Sequence, residues 1–223
     1  SHVAATPWSS VLAEAGDFAP APTAAWMRRL RRALLHPDAG GTEMLALLRS
    51  LRAWLEGDEG DSARRAANRE FEAASLHEAL ISNIRGLSSC AWQQDADLEV
   101  GEQALRILAW SLSDDPTSRA PRFVRCGAVT AIEGLMRCWP DRVQVQAAAL
   151  AALGSLLIDS AAAAEALQLD MPRLVHEAIS AHPGIAEIQT GSARVMQCFA
   201  THRDEWVAYH RSKELNSDSW HGV

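Results

Sequence analysis

The stretch GAVTAIEGLMRCWPDRVQVQAAALAALGSLLID, residues 127–159, returns in outline 43 residues later over residues 170–202. At that single offset, without a gap, Val129 falls on Pro172, Ile132 on Val175, Leu135 on Ala178 and Met136 on Ile179. Pro140 falls on Pro183, Gln146 on Gln189, Leu153 on Met196 and Leu156 on Phe199. Inside each copy the apolar positions recur at three and four, the spacing of a helix with one buried stripe. Units of about 40 to 47 residues with two or three helices cannot bury their apolar faces alone. They stack, each supplying a neighbour's missing wall, and the expected fold is an all-α solenoid.

Upstream, an offset of 45 carries the same pattern. Val100 matches Val145, Leu105 matches Leu150, Leu108 matches Leu153 and Leu112 matches Leu157. At this offset Ala79, Ile84, Leu87 and Cys90, on a helix expected over 77–92, fall on Val124, Val129, Ile132 and Leu135. Asp95 takes the place of Pro140 in the turn that follows. A proline there stops one helix, and the carboxylate of Asp141 is expected to cap the next. A fourth, more divergent copy opens the chain. Glu14-Ala15-Gly16 has the form of Arg125-Cys126-Gly127, where glycine permits a sharp step between helices. Helices are expected over 26–35 and 42–55, joined by a His36-Pro37-Asp38 turn. Residues 17–23 (DFAPAPT) read as a loop and residues 56–62 (EGDEGDS) as a mobile acidic linker. The units fall at about 9–56, 70–114, 119–159 and 161–203, after a lead-in or tag remnant at 1–8 and before a polar tail at 207–223.

Composition supports helices. Hydrophobic residues make up 48%, dominated by Ala and Leu rather than the β-branched types that favour strands. No apolar run approaches the ~18 residues needed to cross a bilayer. The formal charge of −7 argues against a nucleic-acid binder, which needs a basic footprint. Cys90, Cys126, Cys138 and Cys198 form no CxxC pair and are expected as reduced core residues of a cytoplasmic protein. Eight histidines are scattered without ligand spacing, and no phosphate-binding glycine loop or nucleophile elbow occurs. These patterns point to no catalytic residue, metal or cofactor.

The chain resembles the armadillo repeat family. The resemblance rests on Gly127-Ala128-Val129, Ile132 to Met136, the turn Pro140-Asp141, and Val145-Gln146 with Ala149, Leu150, Ala152 and Leu153. It covers about residues 9 to 203. It implies a right-handed solenoid of about four repeats, with the third helix of each lining a concave groove. Importin-like members carry Trp and Asn one turn apart on that helix. Those two positions fall here on Arg106 and Trp110, Ala151 and Ser155, and Arg194 and Cys198, so the ladder is absent and recognition of nuclear signals is not expected. The resemblance implies a non-catalytic scaffold binding a peptide or helical segment, with Arg106, Trp110, Ser155 and Arg194 as contacts. Arg106 and Arg194 suit a carboxylate on an extended, acidic partner.

Two other features compete. Arg28, Arg29, Arg31 and Arg32, with Arg49 and Arg52, form a basic cluster that could meet an acidic peptide, a lipid head group or nucleic acid. Arg28, Arg29 and Arg32 are its candidate contacts, and Asp58, Glu59 and Asp61 would neutralise it locally. His36-Pro37-Asp38 after a basic helix resembles the signature of J-domain co-chaperones, which implies regulation of an Hsp70 ATPase. Trp139-Pro140-Asp141 and His182-Pro183-Gly184 occupy the same place in later units, so the repeat also explains the tripeptide.

Overall fold

The computed structural model describes residues 22–36, 41–56, 61–88, 95–113 and 115–202, with helical positions at 204, 207 and 211. These residues form eleven helices and no strand. In chain order they are α1 (Ala24–Leu35), α2 (Gly41–Glu56), α3 (Asp61–Ala73), α4 (Leu76–Leu87), α5 (Asp95–Ser113) and α6 (Pro116–Arg125). There follow α7 (Ala128–Cys138), α8 (Val143–Leu156), α9 (Ser160–Gln168), α10 (Met171–Ala181) and α11 (Ala186–Thr201). None is long and apolar enough to cross a membrane.

Local chemistry sets several of the boundaries. Thr23 accepts from the Trp26 amide at 3.3 Å and opens α1. Asp115 accepts from the Ser118 amide at 3.2 Å, followed by Pro116 at the start of α6. Asp159 does the same for α9 through Ala162 at 3.0 Å. The hydroxyl and amide of Ser118 hold the Asp115 carboxyl below the usual carboxylate range.

Packing repeats with a period of three helices. Helix α1 packs on α4, α4 on α7 and α7 on α10. Likewise α2 packs on α5, α5 on α8 and α8 on α11, while α6 packs on α9. Several hydrogen bonds between layers span 42 to 45 residues. Ser88 Oγ donates to Ala131 O at 3.2 Å across 43 residues. His182 Nε2 donates to Pro140 O at 2.8 Å across 42, and His202 Nε2 to Leu157 O at 3.1 Å across 45. Helix α8 lies at the centre. Every residue from Val145 to Leu156 is buried except Ala151, as expected of a helix apolar all round.

The step from first to second helix in a layer uses the left-handed conformation each time, at Ser75 (φ 50°), Gly127 (φ 78°) and Asp170 (φ 59°). Glycine adopts this without strain. At Gly127 a Cβ would also come within 2.6 Å of Arg85 Nη2, which donates to Cys126 O.

These landmarks correct the reading of the second unit. Gly127 and Asp170 keep the offset of 43, but Ser75 and Gly127 lie 52 apart rather than 45. Ala79 of α4 therefore corresponds to Ala131 of α7, not to Val124, which belongs to α6. The slip is seven residues, almost two helical turns, so the apolar stripe falls back on itself and the pattern cannot register it. Helix α4 ends at Leu87, short of the 92 expected, and Asp95 opens α5 instead of occupying the turn before it.

Three further expectations change. Helix α3 begins at Asp61, within the acidic linker expected over 56–62 and ahead of the unit start at 70. Its apolar stripe is Ala63, Ala67 and Phe71 among charged residues, with a single large apolar side chain, too sparse to stand out. Residues 57–60 lie outside the described residues. Asp141 does not cap α8. Arg142 is the N-cap and makes no side-chain cap, while the buried Gln146 amide donates to Met136 O at 2.9 Å and Trp139 O at 3.0 Å, closing α7 instead. Nor are all the cysteines reduced: Cys126 and Cys198 are free thiols, whereas Cys138 is disulfide-bonded. Cys90 lies outside the described residues.

Candidate functional site

Helices α5, α8 and α11 pack side by side and leave a groove of about 510 Å³ along their shared surface. Its floor is small: Ala109 from α5, Ala147, Ala148 and Ala151 from α8, and Ala186 and Gly191 from α11. Glu56, at the end of α2, Arg106 and Arg194 supply charge, with Glu187 and Thr190 between. Small residues are what allow these helices to approach closely. A Cβ on Gly191 would lie 2.9 Å from Leu150 Cβ.

The repeat offsets explain the convergence. Arg106, Ala151 and Arg194 are equivalent positions on three successive layers, 45 and 43 residues apart, and all three line the groove. The second member of each expected pair, four residues on, does not. A step of four residues advances about 40° around a helix, which carries the side chain over the rim. Ser155 is only 3% exposed and its hydroxyl donates to Ala151 O at 3.3 Å, so it cannot reach a partner in the groove. Trp110 is half-buried and packs against the core, outside the groove lining. Cys198 is half-buried as well, and desolvation pushes its thiol up while nearby Arg194 opposes the shift.

The two arginines differ. Arg106 Nε donates to Glu102 at 3.0 Å, and Glu102 also lies 3.7 Å from Arg52, which in turn bonds Glu56 at 2.7 Å. Arg106 thus ends a chain of four alternating charges along the edge of the groove. Arg194 forms no ion pair among the described residues. Its stem lies on Gly154, where a Cβ would meet Arg194 Cδ at 3.1 Å. Packing therefore orients a guanidinium whose head remains exposed.

A second hollow, of about 530 Å³, lies along α1. Arg28, Arg29, Arg32 and His36 line it with Ala25, Ala33 and Glu43. Glu43 bonds Arg29 at 2.5 Å. Arg49 and Arg52, expected in this cluster, instead reach α5: Arg49 is bidentate to Glu99 at 2.5 and 2.6 Å, which raises its pKa, and Arg52 faces Glu102. Asp58 and Glu59, expected to neutralise the cluster, lie outside the described residues, as do Pro37 and Asp38 of the His36-Pro37-Asp38 turn.

Thr190, Gly191, Glu187 and Glu56 are groove residues that the expected contacts do not include. The first two have a signal in the repeat, since the offset of 43 places Thr190 on Ala147 and Gly191 on Ala148. Glu56 enters from a different layer and has no such signal. No family model, no curated protein and no solved structure matches this chain.

Proposed function

We propose that the chain is a right-handed armadillo-like solenoid of about four units, acting as a non-catalytic scaffold. It would hold an acidic peptide or helical segment of a partner along the α5–α8–α11 groove. The observation that carries this reading is the convergence of Arg106, Ala151 and Arg194 on one open groove. A shallow floor of alanine and glycine offers backbone-close contact to an extended or helical chain. Arg194, oriented by Gly154 and without an ion pair among the described residues, is the anchor for an acidic side chain. Arg106 is a secondary contact, because any partner carboxylate must share it with Glu102.

The test is selection of peptides on the full chain from a displayed random library. Selected peptides should be enriched in Asp and Glu. Binding should fall roughly tenfold or more in Arg194→Glu, which replaces an attractive charge-assisted bond by repulsion. Ala151→Trp, which fills the floor from an exposed position, should abolish it with the melting temperature kept. Peptides that bind both variants as tightly as the parent would overturn the groove assignment.

A further inference from the structure

Helix α1 is amphipathic in a way the groove does not use. Met27, Leu30 and Leu34 are buried in the core and fix the helix in rotation. That leaves Arg28, Arg32 and Leu35 on one outward stripe, at spacings of four and three, with His36 beside them. Leu35 is 40% exposed, one of the few large apolar side chains among the described residues that face solvent. Helix α3, which carries Arg64, Arg65 and Arg69, packs on α1.

None of the ion pairs among the described residues involves Arg28, Arg31, Arg32, Arg64, Arg65 or Arg69. Several arginines elsewhere are matched: Arg119 and Arg122 share Glu72, Arg137 faces Glu133 and Arg173 faces Glu177. Like charges one turn apart repel, so Arg28 and Arg32 work against the helix that carries them. A chain of net charge −7 therefore keeps on α1 a basic stripe, Arg28 and Arg32, without an ion pair among the described residues, with exposed Leu35 at its end.

We infer that this face of α1 docks on an anionic phospholipid surface. Arg28 and Arg32 would pair with headgroup phosphates, for which the planar guanidinium is suited. Leu35 would enter the boundary between headgroups and acyl chains, as apolar residues of interfacial helices do. Leu35 separates this reading from binding of nucleic acid, whose phosphate backbone offers an exposed leucine nothing to bury against. The inference is independent of the groove, whose lining shares no residue with this face.

Co-sedimentation of the full chain with phosphatidylcholine vesicles, with and without phosphatidylserine, tests it. Binding should require phosphatidylserine and weaken with salt. It should fall roughly tenfold or more in Arg28→Gln/Arg32→Gln, given the attraction of each basic side chain to a charged leaflet. Arg137→Gln/Arg173→Gln removes the same charge elsewhere and should bind as the parent does. Leu35→Ser should weaken vesicle binding severalfold while leaving any retention of soluble glycerol phosphate unchanged. The inference is overturned if phosphatidylserine makes no difference, if both arginine pairs behave alike, or if Leu35→Ser binds vesicles as the parent does. Binding to duplex RNA without binding to vesicles would overturn it equally.

Discussion

His77 shows how a single side chain ties two helices together and what that costs. Its ring meets Phe123 of α6 edge-on, with centroids 5.9 Å apart. It borders a void of about 10 Å³ shared with Glu72, Arg119 and Arg122. Burial pushes its pKa below the ordinary 6.5, with Arg122 and Arg125 adding to the shift and Glu78 and Glu72 opposing it. The unfolded chain then takes up the proton first as pH falls. The stabilising contribution is present above about pH 6.5 and is lost as pH drops through the depressed folded value. The melting temperature is expected to decline as pH falls below about 6.5, and His77→Gln should flatten the decline. An unchanged slope in that variant would assign the acid sensitivity elsewhere. Identity alone is a poor guide at this level. Gln146 and Gln189 match in the repeat, yet one is buried and closes α7 while the other is exposed. Only the carbonyls of Met136 and Trp139, brought within reach by the turn, make the difference.

Helices α8 and α11 owe their contact to what their sequences leave out. Gly191 faces Leu150 so closely that a side chain there must displace α11. Gly191→Leu is expected to cost about 1–3 kcal/mol through overpacking. Gly86, near the end of α4, has open space where a Cβ would sit, with nothing within 4 Å. Gly86→Ala should therefore stabilise by about 0.5–1 kcal/mol. Chemical denaturation of the two variants checks the opposite signs. The small residues of α8 are legible in the sequence as a sign of close packing, and the apolar stripes of α7, α8, α10 and α11 appear there in correct register. Helix α3 escapes the pattern because Arg64, Arg65, Arg69, Glu70 and Glu72 dilute its stripe. Helix α4 appears in slipped register, because a shift of nearly two whole turns leaves the pattern of apolar residues almost unchanged.

Packing recurs every third helix, and if the layers form the proposed solenoid, stability is expected to be a sum of layers and the interfaces between them. Removing residues 160–223 deletes α9, α10 and α11 and uncovers Leu150 of α8, which faces Gly191. The shortened chain is expected to keep its helical circular dichroism at low temperature and to unfold at a lower denaturant midpoint. Complete loss of helix would mean one shared core in place of additive layers. The amino-acid order is enough to establish helices, their approximate spacing and the equivalence of Arg106, Ala151 and Arg194, because apolar periodicity and repeat offset are one-dimensional properties. It does not tell which of those positions stay open to solvent. Burial of Ser155 and the seat of Arg194 on Gly154 depend on the rotation of each helix about its axis and on neighbours from other layers, whereas the Glu102–Arg106 pair is a one-turn contact within α5. Those are settled when the layers pack against one another in three dimensions.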